Sequence, residues 1–153
     1  MKKPEQRSDH ARRLYEGKEV PHHSCGICMA AAFGLIPASY QSLRKGGITG
    51  EGECGAIKGA EMVIGEYLGD AHPAGAVTPE LREAIMLYRQ RLVEARLAPL
   101  AAITCNHLVG HFPDFQGEER KAYCTELVVR VTDILQEVLE KQGVTIKEPL
   151  TYL

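Results

Sequence analysis

The residues of this chain with chemistry in them are five cysteines and their neighbours. Cys25 and Cys28 form a C-x-x-C pair behind Ser24, and Cys54 opens the run Cys54-Gly55-Ala56-Ile57-Lys58-Gly59. Cys105 follows Thr104, and Cys124 stands in an apolar stripe. A thiolate binds metal, exchanges disulfides and attacks electrophiles. It forms most readily where a helix begins, because the amides of the first turn carry partial positive charge. Cys54 follows a glycine-rich stretch and opens an apolar, helix-like run, so its pKa is expected to fall. Cys25 and Cys105 stand behind the candidate caps Ser24 and Thr104 and are expected in first turns as well. Cys124 differs: it lies inside a helical pattern, on the apolar face. Alone it would read as a small core hydrophobe; with the other cysteines it becomes a candidate ligand.

Four thiolates complete a [2Fe–2S] or [4Fe–4S] centre, and such a centre is anionic, so helix N-termini and glycine-exposed amides suit it. The ligand set is Cys25 or Cys28 with Cys54, Cys105 and Cys124; Gly55 and Gly59, four apart, offer a flat patch for close approach of a cofactor or a facing helix. Two other chemistries compete. Cys25/Cys28 has the sequence form of a thiol–disulfide dithiol, although the βαβ context of such dithiols is missing. Zinc is the other, although no second C-x-x-C is present. His107 and His111 lie beside Cys105, where a Cys/His site is conceivable and a solvated loop is the default. His22 and His23 either tune Cys25 or lie on the surface.

The elements that position these residues follow from periodicity and punctuation. Residues 4–16 read as a polar surface helix with the thin stripe Ala11, Leu14 and Tyr15. Cys25 to Leu35 reads as a buried helix of small residues, with a short helical piece near 39–44 and a flexible glycine-rich segment over 45–52. A helix over 54–68 stops at Gly69. Thr78-Pro79-Glu80 starts another, running to about Arg96 through Leu81, Ile85, Tyr88, Leu92 and Val93, with Pro99 as its break. A helical turn at 104–108 precedes the clearest helix, Glu118 to Gln142, with Leu127, Val128, Val131, Leu135 and Val138 on one face. Its charged start, Gly117-Glu118-Glu119-Arg120-Lys121, reads as a solvated face. No stretch argues for a strand. The fold class is all-α: a single-domain bundle of about five to six helices over 1–153. Its cysteine-bearing core spans about 22–142, between a polar segment 1–21 and a tail 143–153.

The net charge of −2 gives no electrostatic case for nucleic acid or an acidic membrane surface. No apolar run approaches a membrane span and no apolar segment follows the basic start, so the expected compartment is the cytoplasm. There, an odd number of cysteines favours metal binding or catalysis over a disulfide scaffold. The glycines do not form a phosphate cradle, because neither G-x-x-x-x-G-K-[ST] nor G-x-G-x-x-G is present.

Cys25 with its small-residue helix, Cys-Gly-Ala-x-x-Gly at 54–59, Cys105, and Cys124 on a long helix resemble the redox-active proteins named for a C_GCAxxG_C_C pattern. The resemblance spans roughly residues 22–142 and implies redox activity. Within it Cys25 is the better first cysteine, since Phe33 falls where an aromatic residue is expected; Cys28 is the departure. The module is also similar to one domain of the split-Soret cytochromes, where it accompanies an iron–sulfur cluster. Haem does not carry over, because Cys28 is followed by Met29 and no C-x-x-C-H is present. The resemblance implies a separate redox partner protein and, by analogy, a homodimer.

Overall fold

The apolar stripe of the longest helix organises the molecule. In the computed structural model, which describes residues 5–97 and 103–151, six α-helices occur: α1 (Arg7–Glu16), α2 (Cys25–Ala32), α3 (Gly55–Leu68), α4 (Pro79–Glu94), α5 (Cys105–Val109) and α6 (Glu118–Lys141). A 3-10 helix, Pro37–Leu43, links α2 to the glycine loop. The all-α class stands, and among the described residues only one isolated antiparallel bridge occurs, between Glu53 and Thr104. Pro99, read as the break after α4, lies outside the described residues.

α6 buries Leu127, Val128, Val131, Leu135, Val138 and Leu139 against α1, α3 and α4. Its charges match its dipole, with Glu118 and Glu119 in the first turn and Lys141 in the last. α2 is apolar on every side and is accordingly buried at the centre, with Cys28, Met29, Ala30, Ala31 and Ala32 fully covered. α4 begins as its residues dictate: Thr78 Oγ1 accepts the amide of Leu81 at 3.1 Å, and its hydroxyl donates to the Leu68 carbonyl at 2.5 Å.

Four expectations need correction. α1 is not a surface helix beside the core but part of it: Ala11, Leu14 and Tyr15 are buried against α6 and α2. Arg7 anchors its start, donating to the carbonyls of Ala32 at 2.5 Å and Lys147 at 2.9 Å. Val93 is 44% exposed, because the buried stripe of α4 runs through Ala84, Tyr88 and Leu92, and Val93 is one position further round. The glycine loop is not open chain. It is wound on itself by Ile48 N–H to Arg44 O at 2.6 Å, Gly50 N–H to Lys45 O at 2.9 Å and Gly52 N–H to Gly46 O at 2.9 Å. Arg120 is not solvated but 8% exposed. The tail also contributes, closing over the end of α2 through Leu150 N–H to Ala31 O at 2.9 Å.

Candidate functional site

Three helix beginnings and one helix face meet around a single cavity of about 280 Å³. Cys25 is the first residue of α2, Cys54 caps α3, Cys105 is the first residue of α5 behind Thr104, and Cys124 is in the second turn of α6. All four line the cavity. Thr104 makes the cap expected of it, its Oγ1 accepting the His107 amide at 3.2 Å.

The antiparallel bridge between Glu53 and Thr104 ties the backbone at Cys54 to the backbone at Cys105. Cys54 N–H donates to Ile103 O at 2.7 Å, Cys105 N–H to Gly52 O at 2.9 Å, and Asn106 N–H to Gly50 O at 2.8 Å. Gly46, in the left-handed region at φ +60°, permits this closeness: a Cβ there would lie 2.2 Å from Cys105 Cβ. At Gly55 a Cβ would lie 2.6 Å from Cys25 Sγ, so this cavity-lining glycine makes room for the thiol itself. Gly59 does not line the cavity. It sits where α3 crosses α2, 3.1 Å (from an ideal Cβ) to Gly26 Cα.

The two residues of the C-x-x-C pair part company. Cys25 faces the cavity, whereas Cys28 is fully buried, off the cavity wall, its Sγ donating to the His23 carbonyl at 3.1 Å. Burial, and then the neighbouring Cys25, push the Cys28 thiol well up. His107 and His111 are exposed and off the cavity wall. His22 does reach the wall and hydrogen-bonds the Tyr15 carbonyl through Nδ1.

The charge distribution reverses one expectation. Cys54 was expected to carry the low pKa, but it is held well above the ordinary value by donating its proton to Cys25 and by burial. Cys25 is the thiolate of the pair. The hydrogen bond from Cys54 and the backbone amides of Gly26 and Ala56 lower it from 9.0 to about 7, against the opposing effect of burial. The amides of two helix starts thus converge on one sulfur. Burial raises Cys124, opposed by Arg120 and Tyr15, and raises Cys105, opposed by Arg120 and Lys45. In reduced, metal-free protein, alkylation of Cys25 by iodoacetamide should therefore rise through about pH 7, the thiolate being the reactive form. A midpoint near the ordinary thiol value, measured by mass spectrometry of the Cys25 peptide, would contradict this.

Sequence reasoning missed the polar residues of the wall. Arg120 Nη1 donates to Tyr15 Oη at 2.8 Å, Arg120 Nε donates to Phe115 O at 2.5 Å, and the guanidinium lies 4.2 Å from the Phe115 ring centroid. Both Arg120 and Tyr15 hydrogen-bond Cys124. The signal was present: Arg120 and Cys124 are four apart on one helix and must share a face. Ser24 stands at the N-cap of α2 but does not cap it; its Oγ is buried, has no partner among the described residues, and belongs to a residue of the cavity wall.

Among the described residues, no three His, Cys, Asp or Glu side chains converge so as to hold one metal ion. Among them, too, no helix is long and apolar enough to cross a membrane. No curated protein and no solved structure matches the chain. A family described as "Putative redox-active protein (C_GCAxxG_C_C)" matches residues 29–138. That is well over half of the chain, taking in Cys54, Cys105 and Cys124 and beginning just after Cys25 and Cys28. The chain belongs to this redox-active C_GCAxxG_C_C family.

Proposed function

We propose that Cys25, Cys54, Cys105 and Cys124 hold an iron–sulfur cluster, [2Fe–2S] or [4Fe–4S], and that the protein serves electron transfer or redox sensing with a separate partner protein in the cytoplasm. The observation that carries the reading is the gathering of four thiols from four separate segments around one cavity, with the fifth left outside. The donor set fits the group. Four thiolates are its usual ligands, and their spread around a wall suits a polynuclear centre, whose irons are bound by different thiolates, better than a single Zn²⁺. Bound there, the cluster supplies one-electron transfer.

The chain's own residues do the rest. Arg120 and Tyr15 orient Cys124, Lys45 and Arg120 offset negative charge on the sulfurs, and Leu108, Val109, Leu127 and Val128 limit water on the inner wall. Anaerobically purified protein from iron-sufficient cells should be brown and contain about two or four irons per chain with matching sulfide. Colourless or zinc-loaded protein would sink the cluster.

One observation favours a second reading, thiol–disulfide exchange. It is the shared proton of Cys25 and Cys54, which pairs Cys25 with Cys54 rather than with Cys28. The Cys25 thiolate would attack a substrate disulfide and release one thiolate. Cys54, giving up its proton, would then displace the second thiolate and leave a Cys25–Cys54 disulfide.

A further inference from the structure

The thiol cavity carries one sign of charge. Arg44, Lys45 and Arg120 line it, His22 stands with them, and among the described residues no Asp or Glu does, in a chain with 20 acidic and 18 basic residues. Other clefts mix the signs: one joins Glu5, Asp9 and Glu16 to Arg12 and Arg13, another Glu61 to Lys58 and Arg82. A one-signed cleft with low-dielectric walls concentrates counter-ions. Arg44 and Lys45 are exposed and stand at the mouth; Arg120 is 8% exposed and stands further in. Beside them is the buried Ser24 Oγ, a hydroxyl with no hydrogen-bond partner among the described residues.

We propose that the mouth of the cavity binds a small, doubly charged oxyanion, held by Arg44, Lys45 and Arg120 with the Ser24 hydroxyl. This rests on the reading of the cavity as a redox centre and names the class of ligand that centre receives. The Arg44 guanidinium fork matches oxyanion geometry, Lys45 adds a point charge, and Arg120, whose Nε and Nη1 already donate to Phe115 O and Tyr15 Oη, adds positive charge further in. Burial of Arg120 and Ser24 Oγ restricts the occupant to something that enters: an acidic protein surface would reach only Arg44 and Lys45. The cavity, of about 280 Å³, admits a small ion. Absence of carboxylates from the wall disfavours a cation or an amine.

The test is a calorimetric titration of sulfate into reduced, metal-free protein, with chloride holding the ionic strength constant. Saturable binding is expected in the low-millimolar range or tighter, at least tenfold weaker for the monoanion acetate. The Arg44→Gln/Lys45→Gln double variant, changed only at exposed positions, should keep its helicity and melting temperature and lose at least tenfold in sulfate affinity. Equal binding by the double variant, or no saturable binding by the parent, would overturn the proposal. The titration is repeated on iron-loaded protein, where sulfate should still bind. If iron loading abolishes sulfate binding, the cations are only counter-charges to the centre and the proposal falls. If no iron is taken up, the cluster reading fails, and the metal-free titration still decides the anion site.

Discussion

Cys25→Ser should empty the site, and Cys28→Ser should not. After anaerobic reconstitution, iron and sulfide in the Cys25 variant are expected to fall at least tenfold, because one of four ligands is lost and with it the hydrogen bond that Cys54 donates. Removing the Cys25 thiolate also leaves the Gly26 and Ala56 amides without their acceptor. Cys28 is three residues on but contributes to a different part of the structure. Its Sγ donates to the His23 carbonyl at 3.1 Å, and a serine hydroxyl can make the same bond. The cost of a hydroxyl in that apolar setting is about 1–2 kcal/mol, read as a lower melting temperature with iron content close to the parent's. Equal loss of iron from both variants would place Cys28 among the ligands and contradict the geometry.

How the sequence disclosed the site, and where it did not, has a physical explanation. Cysteines carry their chemistry in their residue type, and caps and glycines mark helix starts locally, so Cys54 and Cys105 were found from neighbours within a few positions. The helices themselves were legible for the same reason: the period of α6 and the Thr78-Pro79 start of α4 are local signals, and their observed ends differ from the expected ones by only one or two residues. The residues themselves did not decide between Cys25 and Cys28; only the family resemblance favoured Cys25. The choice depends on which side of α2 meets α3, and α2 is apolar all round, so periodicity says nothing of its orientation.

Electrostatics was the least legible part. The helix-start argument was sound for Cys54, but a tertiary contact outweighed it: once Cys25 and Cys54 share a proton, only one can be the thiolate, and Cys25 has the amides of both helices. Likewise Tyr15 on α1 and Arg120 on α6 are ordinary helix residues until α1 packs against α6 and aims both at Cys124. Arg120 looked solvated because it stands in a charged run; its burial is a consequence of Phe115 and Tyr15 folding over it.

Gly59 and Gly65 lie on the same helix, and their substitutions should have opposite effects. A Cβ at Gly59 would lie 3.1 Å from Gly26 Cα, 3.3 Å from Gly26 O and 3.3 Å from Met29 Cβ, so two of the three obstacles are backbone and cannot swing away. At Gly65 a Cβ meets nothing within 4 Å. Gly65→Ala therefore recovers the helix propensity that glycine lacks, about 0.5–1 kcal/mol, and should raise the melting temperature by roughly 1–4 °C at this chain length. Gly59→Val overpacks the crossing of α2 and α3, a cost of about 1–3 kcal/mol, and should lower it by roughly 2–12 °C. The distinguishing effect is chemical. Forcing α2 off α3 separates Cys25 from Cys54 and from the Ala56 amide, so the alkylation midpoint of Cys25 in metal-free protein should climb from about 7 towards 9.0. Iron occupancy should fall while far-UV helicity is largely kept. The Gly65 variant should match the parent in both respects. A Gly59→Val protein that melts like the parent and keeps the low alkylation midpoint would show that the helix crossing does not set the distance between the two sulfurs.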